Sequence, residues 1–245
     1  MLKQPEHSGA LPMTHEFIRT EDGSTTLYVP ELNEHYHSVH GAVQESMHIF
    51  VRAGIEYYRE NMPNSPDPLR ILEAGFGTGL NAYLTLAYTA TQELPVVYHS
   101  LEKYPLTPEE AARLNYTEQI PYPRPEHFAR LHEAPWETLT AITPDFSLCK
   151  HRQDLRDTCF PAEYDIVFFD AFNPDVQPHL WTEEVFRRFF DALKPGGILV
   201  TYCVKGIVKQ ALRQVGFSLK RLPGPPGKRE MLRATKLAGQ ENEKC

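Results

Sequence analysis

The sequence predicts an α/β domain on a doubly wound, mainly parallel sheet. Three observations carry this. From Leu69 onward, short apolar runs alternate with helical stretches. The first run ends in a glycine-rich turn, Gly75-Phe76-Gly77-Thr78-Gly79. A later run, Tyr164–Asp170, is continuously apolar from Ile166 to Phe169 and then stops at an acid. That is the pattern of a strand buried on both faces that reaches a cleft at its carboxyl end.

Ahead of this core, residues 14–32 read as a hairpin. Phe17–Thr20 and Thr25–Val29 flank Glu21-Asp22-Gly23-Ser24, and Asp-Gly is a strong turn signal. Val43, Met47, Phe50, Val51, Ile55 and Tyr58 recur three and four apart and predict a helix over about 42–60. Pro63, Pro66 and Pro68 break it. The expected division is therefore an N-terminal extension, 1–66, packed on a main domain, 67–245. In that domain Leu69–Glu73 and Val96–Glu102 predict strands around a helix at Leu80–Thr91. Thr107–Asn115 is helical, with Thr107 as cap and Pro108 in the first turn. Pro121, Pro123 and Pro125 mark a loop before strands at Phe146–Cys149 and Tyr164–Asp170. The helix Thr182–Leu193 has Thr182 at its cap and Glu183 and Glu184 at its positive end. Gly197–Tyr202 is a strand and Ile207–Val215 a helix; Phe217–Leu222 and Arg229–Thr235 predict a closing antiparallel pair.

Composition narrows the class. The 245 residues are 41% hydrophobic and 23% charged, which fits a globular chain and not a disordered one. No apolar run approaches the roughly 20 residues that span a bilayer. Met1–His7 lacks the apolar core of a signal peptide, so a cytoplasmic location is expected. Cys149, Cys159, Cys203 and Cys245 form no C-x-x-C pair and read as thiols in a reducing compartment. His35, His37 and His40 lie close together with only Glu34 beside them, a weak ligand set, and no metal is expected. Hydrogen bonding to a ligand and plain loop packing both remain open for these histidines.

In a doubly wound sheet the residues just after each strand face the ligand. After the first strand, Gly75, Gly77 and Gly79 allow a tight turn and close backbone approach. Because position 80 is Leu, this is not the dinucleotide pattern, and the acid Glu73 suits a cationic or hydroxyl-bearing ligand better than a phosphate. Glu102, ending the second strand, can accept both hydroxyls of a ribose on its two oxygens, or can be a solvated surface acid. Asp154 could accept from an adenine amino group or serve as a surface or capping Asp. Asp170, ending a buried strand, reads as a functional carboxylate, since such a charge is costly unless it faces a cleft or a partner. Phe172, Asn173, Pro174 and Trp181 could wall a flat substrate; Trp181 reads equally well as helix-packing core.

Several segments together resemble one family. They are Glu73-x-Gly75-Phe76-Gly77-Thr78-Gly79-Leu80-Asn81, Ser100-x-Glu102-Lys103-x-Pro105-Leu106, Asp170-x-Phe172-x-Pro174 with Trp181, and Lys228-Arg229-Glu230-Met231-Leu232. Upstream, Tyr36-x-Ser38-x-x-Gly41 and Glu45 belong to the same pattern. The sequence resembles the S-adenosylmethionine-dependent methyltransferase domain of the MnmC family, in order, over about residues 16–236. The resemblance implies a class I, Rossmann-like methyltransferase fold. It also implies a cofactor site drawn from Tyr36, Glu45, Glu73, Gly75–Gly79, Asn81, Glu102, Lys103 and Asp154, with Glu102 on the ribose and Asp154 on the adenine. Asp170 would lie at the methyl-transfer centre, with Phe172, Pro174, Trp181, Lys228 and Arg229 toward the substrate.

The implied reaction methylates the aminomethyl group of 5-aminomethyl-2-thiouridine at the tRNA wobble position. Fused members of the family add an FAD-dependent oxidase. No second glycine-rich dinucleotide motif occurs here, so the resemblance is to the stand-alone form without FAD. Two other readings compete: an aminopropyltransferase-like enzyme acting on a small amine, and a non-catalytic RNA-binding protein. The net charge of −7 at first argues against RNA. Between Lys194 and Lys236, however, ten basic residues face one acid, Glu230, a local net charge of +9 that leaves −16 for the remainder. A local RNA contact on the C-terminal strands is therefore expected, with Lys228 and Arg229 holding the anticodon backbone.

Overall fold

The computed structural model describes residues 14–63 and 68–239. The expected domain boundary near 66, linker positions 64–67, the residues read for a signal peptide and Cys245 lie outside the described residues. The chain opens with a three-stranded antiparallel sheet, β1 (Glu16–Arg19), β2 (Thr25–Val29) and β3 (Glu34–His35). The β1–β2 hairpin forms around Gly23, which takes φ +83°.

One long helix follows in three parts: α1 (Ala42–Ser46), a π-helical stretch (Met47–Glu56) and α2 (Tyr57–Asn61). The periodicity predicts a uniform α-helix here, and the π stretch is a departure from it. Ten residues of π winding turn Ile49 into the core, which a 3.6-residue period leaves outside, and leave Met47 only partly buried. The buried side packs on the sheet: Gly54 is so close to Phe168 and Val200 that an added Cβ would lie 3.2 Å from the Phe168 ring.

The core is an eight-stranded sheet whose strands, in chain order, are β4 (Leu69–Ala74), β5 (Val96–Leu101), β6 (Thr140–Thr143), β7 (Phe146–His151), β8 (Tyr164–Phe169), β9 (Leu193–Thr201), β10 (Ser218–Pro223) and β11 (Glu230–Thr235). Their spatial order is β10-β11-β9-β8-β4-β5-β7-β6. The five central strands, β4, β5, β7, β8 and β9, are parallel; β6 and the β10–β11 hairpin are antiparallel edges.

Strand alternation splits the core into two layers. Ile71, Tyr98, Ile166 and Phe168 face the N-terminal helix and α3 (Leu80–Thr91). Leu72, Leu101, Val167 and Phe169 face the other side. After α3 come α4 (Pro108–Ala111), α5 (Tyr116–Gln119) and α6 (Glu126–Glu133), whose Tyr116, Phe128 and Leu131 join its side of the core. The other side is covered by α7 (Glu183–Ala192) and α8 (Gly206–Val215). Burying each large apolar side chain contributes about 1.5–3 kcal/mol. The acid inside β8, Asp165, is fully buried but satisfied: Tyr58 Oη, the Arg70 N–H and Lys194 Nζ all donate to it, the last at 2.7 Å.

Thr107 caps α4 in a reciprocal capping box with Glu110, and Thr182 caps α7. Among the described residues, β3, β6, α5, α6 and two 3₁₀ turns escape sequence reading, α6 because Pro121–Pro125 signals a loop that ends directly at its first turn. Strand β9 begins at Leu193, ahead of the expected Gly197, because Leu193 pairs with Tyr164 across an irregular register. Among the described residues no helix is long and apolar enough to cross a membrane. Cys149 and Cys203 are free and buried, whereas Cys159 is disulfide-bonded, a departure from the expectation of thiols.

Candidate active site

The carboxyl ends of β4, β5, β7 and β8 open into a cavity of about 540 Å³. It sits where the strand order reverses, with β5 on one side of β4 and β8 on the other. The glycine turn after β4 forms its floor. Gly75 takes φ +97°, and a Cβ there would lie 2.7 Å from the Asp170 carbonyl oxygen. The ends of β4 and β8 therefore meet only because residue 75 has no side chain. Gly77 faces the Tyr36 ring, 3.1 Å from where its Cβ would be.

Glu102 stands at the end of β5 on the cavity wall. Its Oε2 accepts the Gly77 N–H at 2.9 Å and its Oε1 the Tyr104 N–H at 2.8 Å. Each oxygen keeps a second lone pair for a ligand hydroxyl. Burial pushes its pKa up, and the backbone donors pull it back. Glycine turn and acid are thus one hydrogen-bonded unit, a coupling invisible in the sequence.

Asp154 also lines the cavity, at the cap of the short 3₁₀ turn Leu155–Asp157. The Arg156 guanidinium grips it through Nε and Nη2, the Arg156 backbone N–H adds a third bond and Lys103 Nζ a fourth at 2.8 Å. Arg156 above all holds this carboxyl well below the usual carboxylate range. With four donors on four acceptor sites, an adenine amino group would have to displace one, and Lys103, bound through a single bond, is held less firmly than Arg156.

Asp170 lies at the junction of the floor and the mouth. Asn81 Nδ2, from the first turn of α3, donates to its Oδ2 at 2.9 Å. Burial raises its pKa to about 7; the Asn81 bond and Lys228 oppose that shift, and Glu45 adds to it. Beneath the turn, Glu73 is fully buried and not on the wall. Burial raises it to about 8, so it is a protonated carboxyl at neutral pH, and Ser100 Oγ donates to its Oε2 at 2.5 Å.

The mouth is built by side chains from distant segments. Lys228 Nζ pairs with buried Glu45 and sits 4.2 Å from the Tyr202 ring centre. Tyr36 packs edge-on against Phe172 at 4.9 Å. Trp181 is core: its Nε1 donates to the Phe172 carbonyl at 2.7 Å, so it holds the loop after β8 from behind. Pro174 is buried and Arg229 exposed, and neither lines the cavity; nor does Gly79, the left-handed residue that starts α3. Of the remaining expected residues, Phe76, Thr78 and Lys103 are on the wall. Tyr202 was missed, although it follows β9 just as Glu102 follows β5; its hydroxyl donates to the Ala171 carbonyl at 2.9 Å. His35, His37 and His40 line the mouth with separate partners: His37 bonds Thr26, and His40 bonds Glu21.

Residues 129–237 match the family model described as S-adenosyl-L-methionine-dependent methyltransferase. The chain is 28% identical over 223 residues to the tRNA 5-methylaminomethyl-2-thiouridine biosynthesis bifunctional protein MnmC of Actinobacillus pleuropneumoniae, covering 82% of this chain and 32% of that protein. The same-named protein of Cupriavidus metallidurans is 29% identical, covering 88% of this chain and 33% of its own length. The crystal structure of MnmC2 from Aquifex aeolicus superposes with a TM-score of 0.73 at 30% identity, covering 96% of this chain and 72% of that one. The chain belongs to the MnmC methyltransferase family. It spans about a third of the length of the curated MnmC relatives. Its fold and its use of S-adenosylmethionine are those of the family.

The cavity fits that cofactor. Its volume lies within the usual ligand-pocket range of about 300–1,000 Å³. Glu102 offers oriented acceptors to a ribose. Asn81 bridges the two buried acids, donating to Asp170 and hydrogen-bonding Glu73, which fixes the floor on which the cofactor would lie.

Proposed function

We propose that this chain methylates the aminomethyl nitrogen of 5-aminomethyl-2-thiouridine at the tRNA wobble position, giving 5-methylaminomethyl-2-thiouridine. The observation that carries the reading is Asp170: a carboxylate with a pKa near neutral, fixed by Asn81, between the cofactor floor and an open aromatic mouth. The name of the MnmC relatives supplies the product nucleoside, from which the amine substrate follows.

S-adenosylmethionine supplies an electrophilic methyl group on a sulfonium. A primary amine can attack only after losing its ammonium proton. Asp170 accepts that proton and orients the nitrogen, while Tyr36 and Phe172 hold a flat base. Holding the partners in attack geometry supplies several kcal/mol of the acceleration. Glu102 would hold the ribose, and Lys103 and Asp154 flank the adenine.

The tRNA contact is smaller than the charge run implies. Lys194, Lys205 and Lys228 are paired with Asp165, Asp175 and Glu45. Lys236 is buried on the Phe190 and Leu193 carbonyls, and Arg233 is stacked on Tyr57. Arg221 pairs with Glu230, while Lys220 and Arg229 stay exposed on the β10–β11 hairpin, and we place the anticodon-arm backbone there. Methylation of the amine by this chain needs no flavin, so FAD is left to a separate oxidase activity.

The test is nucleoside analysis of tRNA from a strain lacking the modification, after incubation with the protein and labelled S-adenosylmethionine. Label in the methylaminomethyl nucleoside supports the reading. Label transferred to a small amine such as putrescine and not to tRNA would replace it.

A further inference from the structure

On the face of the sheet away from α3, three side chains converge that the sequence keeps far apart. His99 in β5 is the cross-strand partner of Cys149 in β7, and His151 lies two residues on, on the same face. One ligand atom from each, two imidazole nitrogens and the thiol sulfur, lie within 4.8 Å of one another. The two imidazoles meet at 3.1 Å, His99 Nδ1 to His151 Nε2.

We propose that His99, Cys149 and His151 bind a zinc-type divalent ion that ties β5 to β7. Bond lengths of about 2.0–2.3 Å put tetrahedral ligand atoms about 3.3–3.6 Å apart, so the side chains need only close up. Two nitrogens and one sulfur are a donor set that zinc prefers. The fourth position is open to water, because His151 remains 17% exposed while Cys149 is buried.

A second observation is the outer partner. Glu137 Oε2 lies 2.9 Å from His151 Nδ1. A carboxylate only accepts, so the ring proton sits on Nδ1 and the Nε2 lone pair faces His99 and Cys149. This carboxylate–histidine arrangement orients metal-bound imidazoles. The Glu137 side chain is fixed in turn by the Arg152 N–H at 2.7 Å. Phe160 packs edge-on against both imidazoles and Tyr164 against His99, giving the site an apolar wall.

Binding balances simply. The Cys149 thiol releases its proton to solvent as the sulfur–metal bond forms. In the metal-free state His99 donates from Nδ1 to His151; on binding that proton shifts to Nε2 through solvent. The sequence gives no sign of this cluster, because fifty positions separate His99 from Cys149 and only the parallel pairing joins them.

The position gives the ion a role. The His151 carbonyl accepts the Glu102 N–H at 2.9 Å, and Asp154 follows three residues later. The ion would clamp the two strands whose ends carry both cofactor-facing acids, without touching the methyl-transfer centre.

Metal-stripped full-length protein, kept reduced with a phosphine, is titrated with Co²⁺ and Zn²⁺. The expected result is one ion per chain with a sulfur-to-cobalt charge-transfer band. Cys149→Ser removes that band, and Cys203→Ser leaves it. Glu137→Gln weakens zinc binding about 10–100-fold with the fold intact by circular dichroism. If Cys149→Ser does not fold, zinc protection of Cys149 from alkylation in the unaltered chain replaces it. Absence of the band, equal zinc affinity with and without Cys149, or no protection would overturn the proposal.

Discussion

The two halves of the cavity are built differently. The cofactor half is held by backbone: a glycine turn, and a carboxylate fixed by two main-chain N–H groups. The mouth is held by side chains from segments nearly two hundred residues apart, with Glu45 on Lys228 and Tyr36 on Phe172. Backbone donors cost no side-chain entropy to place, so the first half is formed before any ligand arrives. The mouth rests on ion pairs and ring contacts that a charged or aromatic substrate can replace one for one. The difference suits a common cofactor and a large, particular substrate.

The largest expected effect falls where the halves meet. Asp170→Asn keeps the Asn81 contact region and folds, binds S-adenosylhomocysteine as before, and loses about 10²–10⁴-fold in turnover. Near-normal single-turnover rates in that variant would remove Asp170 from the mechanism. The next effect is on pH. Burial raises Asp170 to about 7, above its ordinary value, so the proton-accepting form is lost as pH falls through that range. Turnover should therefore rise with pH through about 7, and an unchanged inflection in Asp170→Asn would assign it to another group.

These two predictions concern a residue that the sequence exposes clearly. Gly75–Gly79, Glu102 and Asp170 follow β-strands directly, and a strand end is marked by a few contiguous residues. The mouth was less legible, because Tyr202, Glu45 and Lys228 become neighbours only through the order of the sheet and the N-terminal helix. Glu45 entered through family resemblance alone, and Lys228 through that resemblance together with the basic run. Charge counting also misleads there: Arg233 and Lys236 are interior groups whose aliphatic stems and hydrogen bonds hide them from solvent. The π stretch escapes for a simpler reason, since apolar spacing alone does not report an extra residue per turn.

A smaller effect separates the halves. Glu102→Gln keeps the shape but removes the charge, and weakens S-adenosylhomocysteine binding by roughly tenfold or more, as loss of a charged hydrogen bond of about 1.5–3 kcal/mol requires. Its effect on tRNA affinity should be nil; calorimetry with each ligand checks both, and equal loss for both would erase the distinction between the halves. The smallest effect is at the rim. Arg229→Ala should lower tRNA affinity several-fold and reduce the salt slope by about one, with S-adenosylhomocysteine binding unchanged. Unaltered affinity and slope would move the RNA contact off the β10–β11 hairpin.

The pairing of Lys228 with Glu45 bears on how the enzyme comes into being. Synthesis runs from the first residue to the last, so the nascent protein exposes Glu45 long before its cation is translated. Until then that acid, which ends up nearly enclosed, must stay hydrated, and the helix that carries it cannot seat fully. The floor, by contrast, can form once β8 has emerged. The mouth is therefore completed only when the β10–β11 hairpin docks Lys228 on Glu45.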